Sequence, residues 1–95
     1  MKVSNINGTS ENTCSCGSWL YHWKKFAHQT LPTYCPEKSC LKAPEVGAHV
    51  QKDSYADRKW YIVPLCKNHN QEMGGTLEIS DSIALVSANV NETCG

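Results

Sequence analysis

Four side chains that commonly bind metal ions constrain this chain more than any other feature of its sequence. They form two pairs, one of cysteines separated by four residues and one of a cysteine and a histidine separated by two: Cys35, Cys40, Cys66 and His69. Three thiolates and one imidazole complete a tetrahedral Zn²⁺ site. The spacing therefore predicts one zinc ion that joins a loop to the start of a helix. The alternative is three buried free thiols and a surface histidine.

The small size of the chain favours a stabilising metal site of this kind. A protein of 95 residues buries a low fraction of its surface on folding, so a metal ion or disulfides are expected to help. Nine basic and nine acidic residues give a net charge of zero, which provides no overall attraction to nucleic acid or to an anionic membrane. The partner is therefore undetermined, either a protein or a nucleic acid that binds to a local patch.

The sequence contains no run of 18 apolar residues, so no membrane span is predicted. Residues 1–13 are polar and lack the hydrophobic segment of a secretory signal. These features predict a cytoplasmic protein. In a reducing compartment, six cysteines are better explained by metal binding than by disulfides.

The polar composition of residues 1–13 predicts a flexible N-terminal arm, followed by a single zinc-binding domain over residues 14–95. The domain begins with the strongest helical pattern of the sequence, whose apolar face is Trp19, Leu20, Trp23, Phe26 and Ala27. Ser18 is the predicted N-cap, and Pro32 should end the helix soon after Gln29. On this helix, His22 and His28 are expected on the solvated side.

The rest of the domain is predicted to contain short elements. Residues 46–50 and 60–63 read as a β-hairpin, residues 66–71 as a second helix, and residues 76–79 and 83–90 as a C-terminal β-hairpin. The predicted fold class is α+β, a small zinc-stabilised domain with an N-terminal helix and a C-terminal β-hairpin.

A second zinc site can be built from the remaining cysteines. Cys14 and Cys16 precede the first helix and Cys94 lies near the end of the sequence. With His49 or His22 as the fourth ligand, these residues would close another tetrahedral site and tie both ends of the domain together. The alternatives are a disulfide between Cys94 and Cys14 or Cys16, or three unligated thiols.

The segments GAHV and YIVPLCKNHN resemble the core of the HNH endonuclease family, in which a ββα-metal motif lies within a treble-clef zinc fold. The resemblance covers about residues 35–72. It implies that His49 stands in the place of the general base that activates water. It also implies that Asn70 stands in the place of a ligand to the catalytic divalent ion.

The chain departs from this family at two positions. Ala48 stands where the family usually has an aspartate or histidine that binds the catalytic metal, and the middle asparagine of the motif falls near Tyr61. Asn70 alone offers little support to a Mg²⁺-type ion, which prefers several oxygen ligands. We therefore expect a treble-clef, HNH-like scaffold that acts as a non-catalytic binding or adaptor module. The alternative is a divalent-metal-dependent nuclease with His49 as base.

Overall fold

One antiparallel sheet of five strands organises the part of the chain that the computed structural model describes, namely residues 1–6, 18–37, 40–52, 59–67, 69 and 76–88. The strands lie side by side in the order β4-β1-β2-β3-β5. In chain order the elements are β1 (Lys2–Asn5), α1 (Trp19–Phe26), β2 (Val46–Lys52), β3 (Trp60–Leu65), β4 (Thr76–Glu78) and β5 (Val86–Ser87). The predicted α+β class is confirmed for these residues.

Strands β2 and β3 form the predicted hairpin at the centre of the sheet. His49 is paired with Ile62 and Gly47 with Pro64 in an antiparallel register. The hairpin is longer than predicted, because Pro64 lies inside β3 and does not end it. Every residue from Ile62 to Leu65 is buried, so this strand is covered on both faces.

The predicted flexible arm is wrong over Lys2–Asn5, which form strand β1. This strand lies between β2 and β4, and Val3 is fully buried opposite Lys52 and Leu77. A four-residue segment with one strongly apolar side chain gives a weak strand signal on its own. It is ordered because both of its edges find partners. Residues 7–13 of the predicted arm and the predicted start of the domain at residue 14 lie outside the described residues.

The predicted C-terminal hairpin is also wrong, because β4 and β5 lie on opposite edges of the sheet. Strand β4 pairs with β1, and β5 pairs with β3. The chain between them passes α1, where the Trp23 indole N–H donates to the Ala84 carbonyl over 2.9 Å. The Gln29 side chain adds bonds to the Ser82 carbonyl and the Ala84 N–H, both 2.9 Å long. These bonds hold the connection against the helix.

Helix α1 begins as the sequence predicts. Its N-cap is Ser18, whose hydroxyl oxygen accepts a hydrogen bond from the Tyr21 N–H over 3.1 Å. The helix is shorter than predicted, since it ends at Phe26 and His28 then adopts a left-handed backbone with φ of 56°. No helix among the described residues is long and apolar enough to cross a membrane.

Helix α1 packs directly on β2. A Cβ added at Gly47 would meet the backbone of Trp19 and Leu20, so only a glycine permits this close approach. Buried side chains from the helix, the sheet and the loops form one core: Val3, Trp23, Cys35, Ala48, Val50, Ile62, Val63, Leu65, Cys66, Leu77, Ile79, Ile83 and Val86. Two of its members are cysteines of the predicted zinc site.

Candidate metal centre

The loop that carries Cys35 and Cys40 is held by its own backbone. The Cys35 N–H donates to the Lys42 carbonyl over 2.8 Å, and the Cys40 N–H donates to the Glu37 carbonyl over 3.1 Å. A further bond, from the Ser80 N–H to the Pro36 carbonyl, ties the loop to the segment after β4. These bonds direct both cysteines toward the end of β3. Residues 38 and 39 lie outside the described part of the chain.

Cys66 and His69 enter the same space from the end of the central hairpin. Cys66 follows β3 directly and is only 2% exposed. Lys67 and His69 are helical, and the His69 N–H points back to the Cys66 sulfur over 3.5 Å. Cys66 and His69 thus present their side chains to one point. The other residues of the predicted second helix are outside the described residues, apart from Cys66, which precedes the turn.

The four predicted ligands lie close enough together to bind a metal ion, since their ligand atoms are all within 4.8 Å of one another. In a tetrahedral Zn²⁺ site, bonds of about 2.3 Å to sulfur and 2.0–2.1 Å to nitrogen place two sulfurs about 3.8 Å apart. The same bonds place a sulfur and a nitrogen about 3.5 Å apart. The site has 3.9 Å between the sulfurs of Cys40 and Cys66, and 3.6 Å between the Cys35 sulfur and Nδ1 of His69.

One edge of the site is tighter than this reference. Nδ1 of His69 lies 3.1 Å from the Cys66 sulfur. In each of these contacts Nδ1 is the imidazole nitrogen that faces the sulfurs, and it is therefore the atom of His69 that would bind the metal. The residues present fit a closed site of three cysteines and one histidine.

The two buried thiols have opposite pKa shifts. Burial raises the pKa of Cys35 to about 12. Burial also acts to raise the pKa of Cys66, but hydrogen bonds from the His69 backbone and side chain, with those from Cys40 and Cys35, outweigh it and leave that pKa lowered. Cys66 therefore loses its proton at a lower pH than Cys35. Cys35 requires a nearby cation to ionise at neutral pH.

Polar contacts surround the cluster. Nε2 of His69, the nitrogen that faces away from the thiols, lies 3.4 Å from a carboxylate oxygen of Glu37. The Asn5 side-chain amide donates to the His69 carbonyl over 3.1 Å, which connects β1 to the site. Sequence reasoning missed both residues. The position of Glu37 between Cys35 and Cys40 was a usable signal, whereas nothing local to Asn5 indicated its role.

His49 lies in β2 under helix α1. His49 is only 6% exposed, and its ring centroid is 4.7 Å from that of Trp19. Burial lowers the pKa of His49, and the neighbouring His22 lowers it further. His49 is therefore a neutral imidazole at pH 7, packed against aromatic rings.

The expectation that His22 is solvated is wrong, whereas His28 is exposed as predicted. His22 is fully buried, and its Nε2 lies 2.9 Å from the Ser87 carbonyl, to which it must donate. The spacing of Trp19, His22, Trp23 and Phe26 along the helix places His22 on the apolar face. That spacing was the signal in the sequence that could have placed it correctly.

Several predicted site residues fall outside the described part of the chain. Cys14, Cys16 and Cys94 of the second zinc site are among them, as is Asn70 of the proposed nuclease motif. The second zinc site therefore stays a prediction. So do its alternatives and the role of Asn70.

Comparison of the chain with protein-family models, with curated proteins and with solved structures finds no match. The geometry of the site therefore carries the functional proposal.

Proposed function

We propose that this chain is a small zinc-binding protein with an HNH-like scaffold, which serves as a non-catalytic binding or adaptor module. The observation that carries the proposal is the convergence of Cys35, Cys40, Cys66 and His69 on one point. Four protein ligands complete the coordination of Zn²⁺ and leave no position for water or substrate, which is the hallmark of a structural site.

The order of the elements around the site supports the proposal of an HNH-like scaffold. A loop with two cysteines is followed by the β2–β3 hairpin, then by Cys66 and by the helical residue His69. This is the order that the resemblance to the HNH family implies. Three thiolates in one metal site suit a reducing environment, and we infer that the protein works in the cytoplasm.

The buried state of His49 supports the non-catalytic role over the nuclease alternative. A general base must come within hydrogen-bond reach of the water that it activates. The His49 ring instead contacts Trp19, and the preceding residue, Ala48, is buried and has no side chain that could bind an ion. The nuclease alternative predicts Mg²⁺-dependent cleavage of plasmid DNA that is lost in His49→Ala.

Zinc content per chain, measured by elemental analysis together with titration of free thiols, tests the proposal. We expect one zinc at the described centre, and a second zinc with no free thiols if Cys14, Cys16 and Cys94 are ligands as well. Structural zinc sites supply on the order of 10 kcal/mol or more of apparent folding free energy, so a chelator should unfold the protein.

The matched variants are Cys66→Ser, which removes a buried ligand, and His28→Asn, which removes an exposed imidazole. Cys66→Ser should lose the zinc of this centre and the cooperative unfolding transition, while His28→Asn keeps both. A Cys66→Ser protein with unchanged zinc content and unchanged unfolding would overturn the proposal.

A further inference from the structure

Glu37 makes contact with three of the four candidate ligands. Its backbone carbonyl accepts the Cys40 N–H over 3.1 Å, and its backbone N–H forms a hydrogen bond with the Cys35 sulfur. Its carboxylate lies 3.4 Å from Nε2 of His69. The backbone contacts follow from the path of the loop, but the carboxylate contact depends on the identity of the side chain.

The geometry at His69 gives this contact a chemical consequence. A metal bound by Nδ1 would leave Nε2 as the nitrogen that carries the ring proton, and the acceptor-only carboxylate of Glu37 faces that nitrogen. Nδ1 faces the sulfurs of Cys66 and Cys35, which lie 3.1 Å and 3.6 Å away, and in the metal-bound state it would direct its lone pair at the metal between them. The carboxylate thus selects the tautomer and the ring orientation that a metal at the centre of the cluster requires.

The contact between Glu37 and His69 is partly shielded from solvent, and the backbone of Glu37 is held in place. The side chains of Glu37 and His69 are 23% and 20% exposed, so water competes only in part for this polar contact. The backbone of Glu37 forms an antiparallel bridge with Ile79, which fixes the origin of its side chain. A carboxylate held this way also makes the imidazole a stronger ligand, because it stabilises positive charge on the ring.

We propose that Glu37 is the positioning residue of this metal centre, which holds His69 with Nδ1 directed at the metal and strengthens its bond to zinc. This inference rests on the proposed function, since it requires that the cluster binds zinc.

Zinc affinity, measured by competition with a chelating dye, tests the role of Glu37. Glu37→Gln keeps the size of the side chain and removes its charge, and loss of an outer partner of this kind weakens metal binding about 10–100-fold. The control is Glu45→Gln. Glu45 has an exposed carboxylate 3.5 Å from the Lys67 ammonium group. It directly precedes β2, whose first residue, Val46, pairs with Leu65, the residue before Cys66. We expect Glu45→Gln to stay within about twofold of wild type, since exposed ion pairs contribute little.

A double-mutant cycle separates positioning from a merely structural role. In a His69→Cys background the site keeps four ligands but has no imidazole for Glu37 to orient. Glu37→Gln should then cause no loss of zinc affinity. An equal loss in both backgrounds would show that Glu37 acts through the loop and would overturn the proposal.

Nitrogen-15 NMR of His69 measures the protonation and proton exchange of Nε2, which a change in protein stability alone would not alter. In the zinc-bound wild type we expect a protonated Nε2 whose proton exchanges slowly with water, and in Glu37→Gln a faster exchange. A wild-type protein that binds no zinc would defeat the proposed function itself. A wild type that binds zinc with the same affinity as Glu37→Gln would defeat only the role of Glu37.

Discussion

At the scale of single residues, two imidazole rings lie buried between α1 and the sheet. His22 and His49 are both in contact with Trp19, at centroid distances of 5.1 Å and 4.7 Å. Phe26 lies beside His22 and Trp60 beside His49. Positive charge on His49 is disfavoured, because burial penalises its protonated form and a charge on the neighbouring His22 would repel it.

The lowered pKa of His49 predicts a pH dependence of stability. Below about pH 6.5 the unfolded chain takes up a proton at His49 that the folded chain does not. The free energy of unfolding should therefore decrease as the pH falls through this range, until the lower pKa of the folded state is passed. Above it the residue is neutral in both states and contributes no pH dependence. His49→Gln should reduce the decrease, as measured by urea unfolding at pH 7.5 and pH 5.5.

Protonation of the metal ligands also destabilises the protein at acid pH, but it affects wild type and His49→Gln alike. The difference between the two proteins therefore isolates His49. His28→Asn, which removes an exposed histidine from a left-handed position that asparagine tolerates, is the control. Equal pH dependence in wild type and His49→Gln would contradict the buried, neutral state of His49.

At the scale of secondary-structure elements, Trp23 joins α1 to the connection between β4 and β5. Its side chain is fully buried, and its N–H donates to the Ala84 carbonyl. Trp23→Phe should lower the free energy of unfolding by about 2–4 kcal/mol, because it leaves a cavity and a carbonyl without its donor. Chemical denaturation measures this loss.

Trp60→Phe is the matched control for this substitution, because Trp60 is 41% exposed on β3. We expect a change within about 1 kcal/mol, as is usual for exposed positions. Similar losses in the two variants would show that Trp23 does not hold α1 against the connection.

Local patterns predicted the elements whose signals lie within a few residues. Ser18 and the apolar spacing from Trp19 onward gave the helix, and the β-branched runs gave the β2–β3 hairpin. The spacing of Cys35, Cys40, Cys66 and His69 gave the cluster. Strand pairing was not predicted where the two strands are distant in sequence. β4 and β5 are adjacent along the chain, yet each pairs with a strand that precedes it.

At the scale of the whole molecule, β1 joins the central hairpin to β4. Val3→Ala should therefore lower the free energy of unfolding by about 2 kcal/mol, because Val3 is fully buried between two neighbouring strands. Lys2→Ala, at the exposed neighbouring position of the same strand, should change it by no more than about 0.5 kcal/mol. Thermal or urea unfolding of the two variants distinguishes a strand from a flexible arm, for which both substitutions would be neutral.

The position of β1 could not be predicted from the sequence, for a physical reason. A strand of four residues with one buried valine has little intrinsic preference for an extended conformation, and its order comes from partners on both sides. The contact of Asn5 with the His69 carbonyl has the same origin. Such features depend on the assembled sheet.

The position of β1 between β2 and β4 also determines when this sheet can be completed during synthesis. A ribosome releases Val3 first, the four ligands and the β2–β3 hairpin next, and Leu77 only afterwards. The metal centre can therefore assemble on a nascent chain whose β1 still lacks one neighbour. Pairing between segments so far apart in sequence is slow compared with local structure formation. We expect the closure of β4 onto β1 to be a late event, with an unpaired edge that is open to other chains until it occurs.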